Sequence, residues 1–152
     1  MDRRAEVAAP SDFAFGFVTD HRTVPSWMFG ISRFEPSGDR TAGAGARFAA
    51  TFSGVLSYTF ELVATEWEDG AAIVLESAEP PQVRARVEFR PRGARVTEIR
   101  IRVEYRIPGG LAAAALRRMN DVVAGRAARY VESNLRRELE SAYAAAHRGA
   151  AG

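Results

Sequence analysis

Few side chains of this chain have the chemistry of a catalyst. The sequence has two histidines, His21 and His147, and no cysteine, which excludes thiol nucleophiles and cysteine-ligated zinc. The histidines are too far apart in sequence to form a metal-binding motif, and no carboxylate at a defined spacing supports His21 as a general base. Phosphate-binding glycine loops and the G-x-S-x-G nucleophile turn are also absent. We therefore expect no metal and no cofactor.

Three tyrosines and two asparagines are the polar side chains that we expect to contact a ligand. Tyr58 and Tyr105 have the inward parity of predicted strands, and Tyr130 lies on the apolar stripe of a predicted helix. A tyrosine can place its ring against an apolar ligand and direct its hydroxyl at it. Asn134 lies on the same stripe and Asn120 beside it. An amide that faces a dry sheet needs a partner, which could be backbone, water or a ligand carbonyl.

Large aromatic rings share the inward side of the same predicted elements. Side chains of this kind fill a protein core, and they also form the wall of an apolar pocket. The sequence leaves both interpretations open for every one of them. The members of this set are Trp27, Phe48, Phe52, Phe60 and Phe89.

Apolar and polar residues alternate between about residues 29 and 107, which predicts strands with one dry and one wet face. A short first strand, Asp2–Ala8, and two short helices, beginning at Pro10 and at His21, precede this region. The predicted strands of the alternating region are 29–36, 47–53, 56–65, 71–78, 83–90 and 98–107.

The charges of the last two strands predict how they pair. A turn at Pro91–Gly93 would place Arg90 opposite Glu98, and that pairing determines the register of the whole hairpin. Each favourable pair contributes at most about 1 kcal/mol on a solvated face. The same register sets Glu88 opposite Arg100, Arg84 opposite Glu104, and Arg86 opposite Arg102, the last being a like-charge pair.

Helical spacing of apolar residues extends from Leu111 to about Ala146. A helix of that length is about 54 Å long, which is long for a domain of this size. Gly125 lies inside it at a cost of about 1 kcal/mol relative to alanine. We expect a bend at Gly125 or close packing on the sheet to explain it. Residues 148–152 are expected to form a frayed tail, so that 1–147 is a single domain.

Length and composition fit one globular domain. The 152 residues are 47% hydrophobic and 26% charged, and no stretch is long and apolar enough to span a membrane. All 21 basic residues are arginine, and they are matched by 19 acidic residues spread along the chain. This distribution argues against nucleic-acid binding. The absence of cysteine and of a visible signal peptide predicts the cytosol.

The order of elements predicts a cavity. A curved antiparallel sheet of six or seven strands has a broad dry face, and one long helix is available to cover it. A single helix about 10 Å wide cannot fill that surface. We therefore expect space between helix and sheet, lined by inward strand residues.

Three segments of the chain resemble the SRPBCC superfamily, which includes START lipid-transfer domains, the birch pollen allergen and bacterial polyketide cyclase/dehydrase-like proteins. They are the strand–helix junction Val7–Val18, the Pro25–Trp27 segment, and Arg136–Glu140 of the terminal helix. The resemblance covers about residues 5–145. It implies an α+β helix-grip fold, with a curved six- to seven-stranded antiparallel sheet wrapped around a long C-terminal helix and two short helices after the first strand. It also implies a packing role for Trp27 at the cavity mouth.

Function inherits the ambiguity of the fold. The first hypothesis is the binding of a small hydrophobic or aromatic molecule, lipid- or polyketide-like, in the cavity. The alternative is a polyketide cyclase, aromatase or dehydratase that folds its substrate there. A second alternative is a protein-partner or chaperone-cofactor module, which an exposed apolar patch at Leu111–Leu116 would favour. The sequence leaves a homodimer open.

Overall fold

The computed structural model describes the backbone of residues 1–53, 57–77, 79, 82–106 and 111–151, and the side chains of these residues except 105–106, 111–124 and 149–151. The described residues form one strand, two short α-helices with a 3-10 helix between them, six further strands and one long helix. In chain order they are β1 (Asp2–Val7), α1 (Ser11–Thr19), a short 3-10 helix (His21–Thr23), α2 (Val24–Trp27), β2 (Ile31–Pro36), β3 (Arg47–Ser53), β4 (Ser57–Glu68), β5 (Ala72–Glu76), β6 (Gln82–Gly93), β7 (Val96–Arg106) and α3 (Leu111–Ala151).

The strands form one curled antiparallel sheet in the order β1-β7-β6-β5-β4-β3-β2. Consecutive strands from β2 to β7 are neighbours, and β1 returns to pair with β7 at the far edge. The helix α3 packs against β1 and α2, on the inner face of the sheet. This is the helix-grip architecture, so the predicted α+β fold with a long C-terminal helix is confirmed.

The pairing of β6 with β7 has the register that the charges predict. Arg90 lies opposite Glu98, and Arg86 lies opposite Arg102. The like-charge pair is tolerated because Glu88 accepts hydrogen bonds from both guanidinium groups, at 2.7 Å from Arg86 and 3.0 Å from Arg102. One carboxylate placed between two cations thus removes the expected repulsion.

A bulge in β4 changes which side chains face the interior. The register of β4 against β5 shifts between Ala64 and Glu66. Because one residue more is accommodated there, Trp67 instead of Glu66 continues the inward series, and its ring packs edge-on against Phe15 at 5.9 Å. Glu66 is exposed and forms an ion pair with Arg86 at 2.8 Å.

Polar links join α3 to β1. The Glu132 carboxylate forms an ion pair with Arg3, and the Glu140 carboxylate accepts the Ala8 backbone N–H at 3.0 Å. Arg136 donates to the Glu6 carbonyl oxygen at 3.1 Å. The adjoining apolar stripe is fully buried against the sheet and the short helices. Its members are Val131, Leu135 and Leu139.

The structure adds local detail at the short helices and at Gly125. Pro10 precedes α1 and no side chain caps it, while Pro25 lies in the first turn of α2 because its fixed φ suits a helix start. An added Cβ at Gly125 would meet no atom within 4 Å, so close packing does not explain that glycine. The predicted strand 29–36 begins at Ile31.

The shared carboxylate of Glu88 makes stability depend on pH. The hydrogen bond from Arg86, supported by Arg102, lowers the pKa of Glu88 from its ordinary value of 4.5. We expect Glu88→Gln to lower the free energy of unfolding by about 1 kcal/mol at neutral pH. A lowered carboxyl pKa contributes stability above the unfolded value and loses it as pH falls through the folded value. Urea denaturation of both proteins from pH 7 to pH 3 should therefore show the difference shrinking below about pH 4.5; a difference that persists at pH 3 would contradict it.

Candidate functional site

The inner face of the sheet is apolar along its whole length, but it is covered unevenly. At the end next to α1, here called the closed end, the inward side chains are buried. At the opposite end, here called the open end, the inward side chains are partly buried or exposed. The closed end comprises Phe48, Leu62, Ile73, Val87, Phe89 and Ile99. The open end comprises Phe52, Tyr58, Phe60, Leu75, Val83 and Val103.

Three rings of β3 and β4 form a continuous aromatic strip at the open end. Phe52 lies directly opposite Tyr58 in the strand register, and Phe60 is two residues further along the same face. The ring centroids are 5.6 Å apart from Phe52 to Tyr58 and 5.7 Å apart from Tyr58 to Phe60. Tyr58 is 45% exposed. Sequence parity thus brings together three of the residues predicted to bind a ligand.

The segment before β2 holds the strip at one end. Gly30 has φ +79°, a conformation that favours glycine, and its carbonyl oxygen accepts the Ser53 N–H at 2.8 Å. The Phe52 ring lies so close to Gly30 that an added Cβ would stand 2.2 Å from a ring carbon. Only glycine therefore allows this ring position.

Tyr130 joins this end of the molecule from α3. Its ring contacts Phe29 edge-on, with centroids 5.6 Å apart, and it is 43% exposed. It lies at the edge of the buried helical stripe, beside Val131. Strand β2 begins after Phe29, so Phe29 is free to turn toward the helix.

The other predicted aromatic residues lie in the closed interior. Phe48 is 2% exposed and stacks on Phe34 with centroids 5.0 Å apart, while Phe89 packs edge-on against Phe15 at 5.2 Å. Trp27 is 3% exposed, and its indole N–H points to the Thr23 hydroxyl at 3.3 Å. Their surroundings are those of a packed core.

The buried amide of Asn134 is satisfied within its own helix. Its N–H group donates to the Tyr130 carbonyl oxygen at 2.8 Å, and its oxygen accepts a hydrogen bond from Arg137. The Tyr130 carbonyl oxygen is thus a backbone partner of the kind that the sequence left open for this amide, and the Arg137 side chain is a further partner. The side chains of Tyr105, Asn120 and the Leu111–Leu116 patch lie outside the described residues.

The titratable side chains form no catalytic constellation in the described parts of the chain. His21 lies beside the Phe48 ring at 6.4 Å between centroids, and His147 lies 3.3 Å from the Tyr143 hydroxyl at the far end of α3. Arg33 is exposed and lies opposite outward-facing Thr51 in the strand register. No three histidine, aspartate or glutamate side chains among those described converge as metal ligands would.

Four apolar residues at this end of the molecule, three of the open end and Phe29, were not among the sequence candidates. Val83 and Val103 have the inward parity of their strands, so the signal was present, but the candidates were chosen among aromatic and amide side chains. Leu75 has the same signal in β5. Phe29 had none, because its contact with Tyr130 depends on where β2 begins.

Truncating a phenylalanine to alanine should reduce the free energy of unfolding more at the closed end than at the open end. Phe48→Ala should lower the free energy of unfolding by about 3–5 kcal/mol, the range for a fully buried ring. Phe60→Ala on the neighbouring strand should cost about 1–2 kcal/mol, since its ring is only partly buried. Guanidinium denaturation measures both; equal costs would contradict the division of the inner face.

The family model for polyketide cyclase/dehydrase and lipid transport proteins matches residues 1–145. No curated protein sequence matches the chain. Among solved structures, the chain is similar to the Zhui aromatase/cyclase from Streptomyces sp. R1128, with 15% identity over 92% of each chain and a TM-score of 0.73.

Two further structures share the fold. The di-domain ARO/CYC protein StfQ of the steffimycin biosynthetic pathway is 21% identical, with a TM-score of 0.66 over 92% of this chain and 45% of that one. A START superfamily protein from Mycobacterium smegmatis is 17% identical, with a TM-score of 0.57 over 84% of this chain and 95% of that one. At these identities the structures show the fold alone. With the family model matching nearly its full length, the chain belongs to the polyketide cyclase/dehydrase and lipid transport family.

Proposed function

We propose that this protein binds a small hydrophobic or aromatic molecule, lipid- or polyketide-like, between the open end of the sheet and α3. The observation that carries the proposal is the uneven cover of the inner face. Its closed end is packed, whereas its open end presents accessible apolar surface on the same continuous sheet. An accessible apolar concavity with a few polar groups is the usual form of a small-molecule site.

The open end supplies contacts suited to such a ligand. Phe52 and Phe60 offer ring surface, and Tyr58 and Tyr130 combine a ring with a hydroxyl. By sequence parity Tyr105 belongs to the same surface, and by helical spacing Asn120 and Asn134 belong to the facing helix. Trp27, Phe48 and Phe89 would act as the rigid floor beneath it. A cytosolic location and a homodimer stay predictions. No helix within the described ranges is long and apolar enough to cross a membrane.

A pocket-filling pair of variants tests the proposal. Ala85 is partly buried on the inner face, between Val83 and Val87, and a phenylalanine there would occupy the space in front of the open end. Thr59 is exposed on the outer face and serves as the matched control. We expect N-phenyl-1-naphthylamine to bind the wild type saturably, at least about tenfold more weakly to Ala85→Phe, and unchanged to Thr59→Phe, by fluorescence titration.

Circular dichroism melting establishes that both variants are folded. Absence of saturable binding to the wild type, or equal binding by a folded Ala85→Phe, would overturn the proposal. Native mass spectrometry of the purified protein extends the test, because a retained small molecule would identify the ligand class directly.

A cyclase, aromatase or dehydratase acting on a chain folded in the same space is the second candidate. The family description and the two ARO/CYC structures of the same fold favour it. In that case tyrosine hydroxyls would polarise carbonyl groups and transfer protons. Single-turnover incubation with a poly-β-ketone substrate distinguishes the two: product formation that Tyr58→Phe or Tyr130→Phe slows would support the enzyme, and binding without product supports the carrier.

A further inference from the structure

We propose that the open end of this protein docks on a lipid bilayer that contains anionic phospholipid. The surface that makes the contact, here called the docking face, combines aromatic rings of the rim with arginines of α3. Two observations support it, and neither depends on what the interior binds: the position of the exposed tyrosines and the position of the positive charge. The members of the docking face are Phe29, Phe52, Tyr58, Arg126, Arg129 and Tyr130.

The two large apolar side chains that are exposed in the described parts of the chain, Tyr58 and Tyr130, both lie at the open end. A continuous set of contacts connects them. The Phe52 ring is 5.6 Å from Tyr58 and lies against Gly30, and Phe29, the neighbour of Gly30, is 5.6 Å from Tyr130. The tyrosines therefore belong to one aromatic patch at the rim. Exposed tyrosine rings of this kind are typical of surfaces that meet the interface of a membrane.

The direction of α3 places its first half at the same end. Tyr143 contacts Phe13 of α1 at the closed end, with ring centroids 5.0 Å apart, whereas Tyr130 contacts Phe29 at the open end. The residues before Tyr130 continue the helix away from the closed end. Arg126 lies four residues before Tyr130 and three before Arg129, so these side chains share one helix face.

The net positive charge of the chain is concentrated in this half of α3. Residues 111–130 contain four arginines and one aspartate, a net charge of +3, whereas the whole chain has +2. All other residues together therefore have a net charge of −1. A basic helical segment beside accessible apolar surface is typical of proteins that lie on anionic membranes. The arginines are Arg117, Arg118, Arg126 and Arg129, and the aspartate is Asp121.

The two arginines of the docking face are available to lipid headgroups. Arg126 and Arg129 are exposed, and the ion pairs of α3 among the described side chains involve only residues 132–138. The opposite side of the helix is the buried one, as Ala128 shows. Both guanidinium groups therefore point away from the core, on the side that carries Tyr130.

The described carboxylates at the open end belong to another sector of the rim. Glu76 is in β5, Glu79 in the turn after it and Glu104 in β7, whereas the docking face is formed by β3, β4, α3 and the segment before β2. Glu76 is also neutralised by Arg84, at 3.5 Å. The sector that carries the exposed aromatic rings is therefore the basic one.

A bilayer is the partner that fits both observations. Its anionic headgroups attract guanidinium groups, and the adjoining acyl region accepts aromatic rings. An apolar small molecule is concentrated in lipid, so a docked protein would have the open end of its inner face against the source of such a ligand. That benefit rests on the proposed function, whereas the docking itself does not.

Vesicle sedimentation with ligand-free protein tests the proposal. The vesicles are phosphatidylcholine alone or mixed equally with phosphatidylglycerol. In about 50 mM salt the wild type should bind the mixed vesicles much more tightly than the neutral ones, and about 500 mM salt should abolish the difference by screening. Arg126→Gln with Arg129→Gln should weaken binding about 30-fold, because each arginine near an anionic surface contributes about 5-fold. Tyr58→Ser with Tyr130→Ser should weaken it several-fold through lost apolar contact.

Arg90→Gln with Arg95→Gln is the matched control, because it removes the same charge from the closed end. Both side chains are exposed, and the nearby Glu98 pairs with Arg92 instead. This variant should bind the mixed vesicles within about threefold of the wild type, since its charges lie more than a Debye length of about 10 Å from the docking face. Circular dichroism melting establishes that every variant is folded.

Three results would overturn the proposal. The first is a wild type that does not bind mixed vesicles in low salt, and the second is an equal loss of binding by the two arginine pairs. The third is salt-dependent binding of poly-L-glutamate without binding to vesicles, which would assign the docking face to an acidic protein. Titration with N-phenyl-1-naphthylamine in the absence of vesicles tests the proposed function separately, so the failure of one proposal is distinguishable from the failure of the other.

Discussion

The structure depends on one constraint: the apolar face of a broad curled sheet has to be shielded from water by few elements. Among the side chains that the structure describes, the buried cover lies at one end. The helix α1 contributes Phe15 to the closed end, and the stripe of Val131, Leu135 and Leu139 joins the same buried cluster. The inner face continues past this cover to Tyr58, which is exposed. The division between core and candidate site thus follows from where the cover lies, because the sheet itself has the same apolar character at both ends.

The helix α3 is held in place by its polar edge as much as by its apolar stripe. Glu132 and Glu140 engage the side chain of Arg3 and the backbone of Ala8, and Arg136 reaches the Glu6 carbonyl oxygen. These contacts lie where β1 forms an edge of the sheet and leads into α1. They satisfy backbone groups of an edge strand that pairs on one side only, which is one way in which proteins protect such edges. Covering the inner face and closing the sheet edge are therefore achieved by the same helix.

Much of the architecture was predictable because apolar residues recur with the period of a strand or of a helix. Alternation defines the strands, and the charges of Arg90 and Glu98 suffice for the register of the β6–β7 hairpin. What could not be predicted depends on single residues that break a period. The bulge after Ala64 turns Trp67 inward, and the alternation of residues in β4 does not predict that bulge.

The candidate site shows the same limit. Parity placed Phe52, Tyr58 and Phe60 on one face, but it treats every inward residue alike and so could not separate them from Phe48 and Phe89. That separation depends on which end the cover reaches, a long-range property of the fold. The close approach of Gly30 to Phe52 is likewise a contact between segments that no local pattern relates.

Of the two tryptophans of the protein, Trp27 belongs to the buried cluster and Trp67 is partly buried and packs against it. Trp27 lies in α2 with its indole N–H directed at Thr23, and Trp67 packs on Phe15 beyond the bulge. The intrinsic tryptophan fluorescence of this protein therefore originates in and beside the packed core, and it reports whether that core is intact. Ligand binding at the open end has to be followed through the absorbance or fluorescence of the ligand itself.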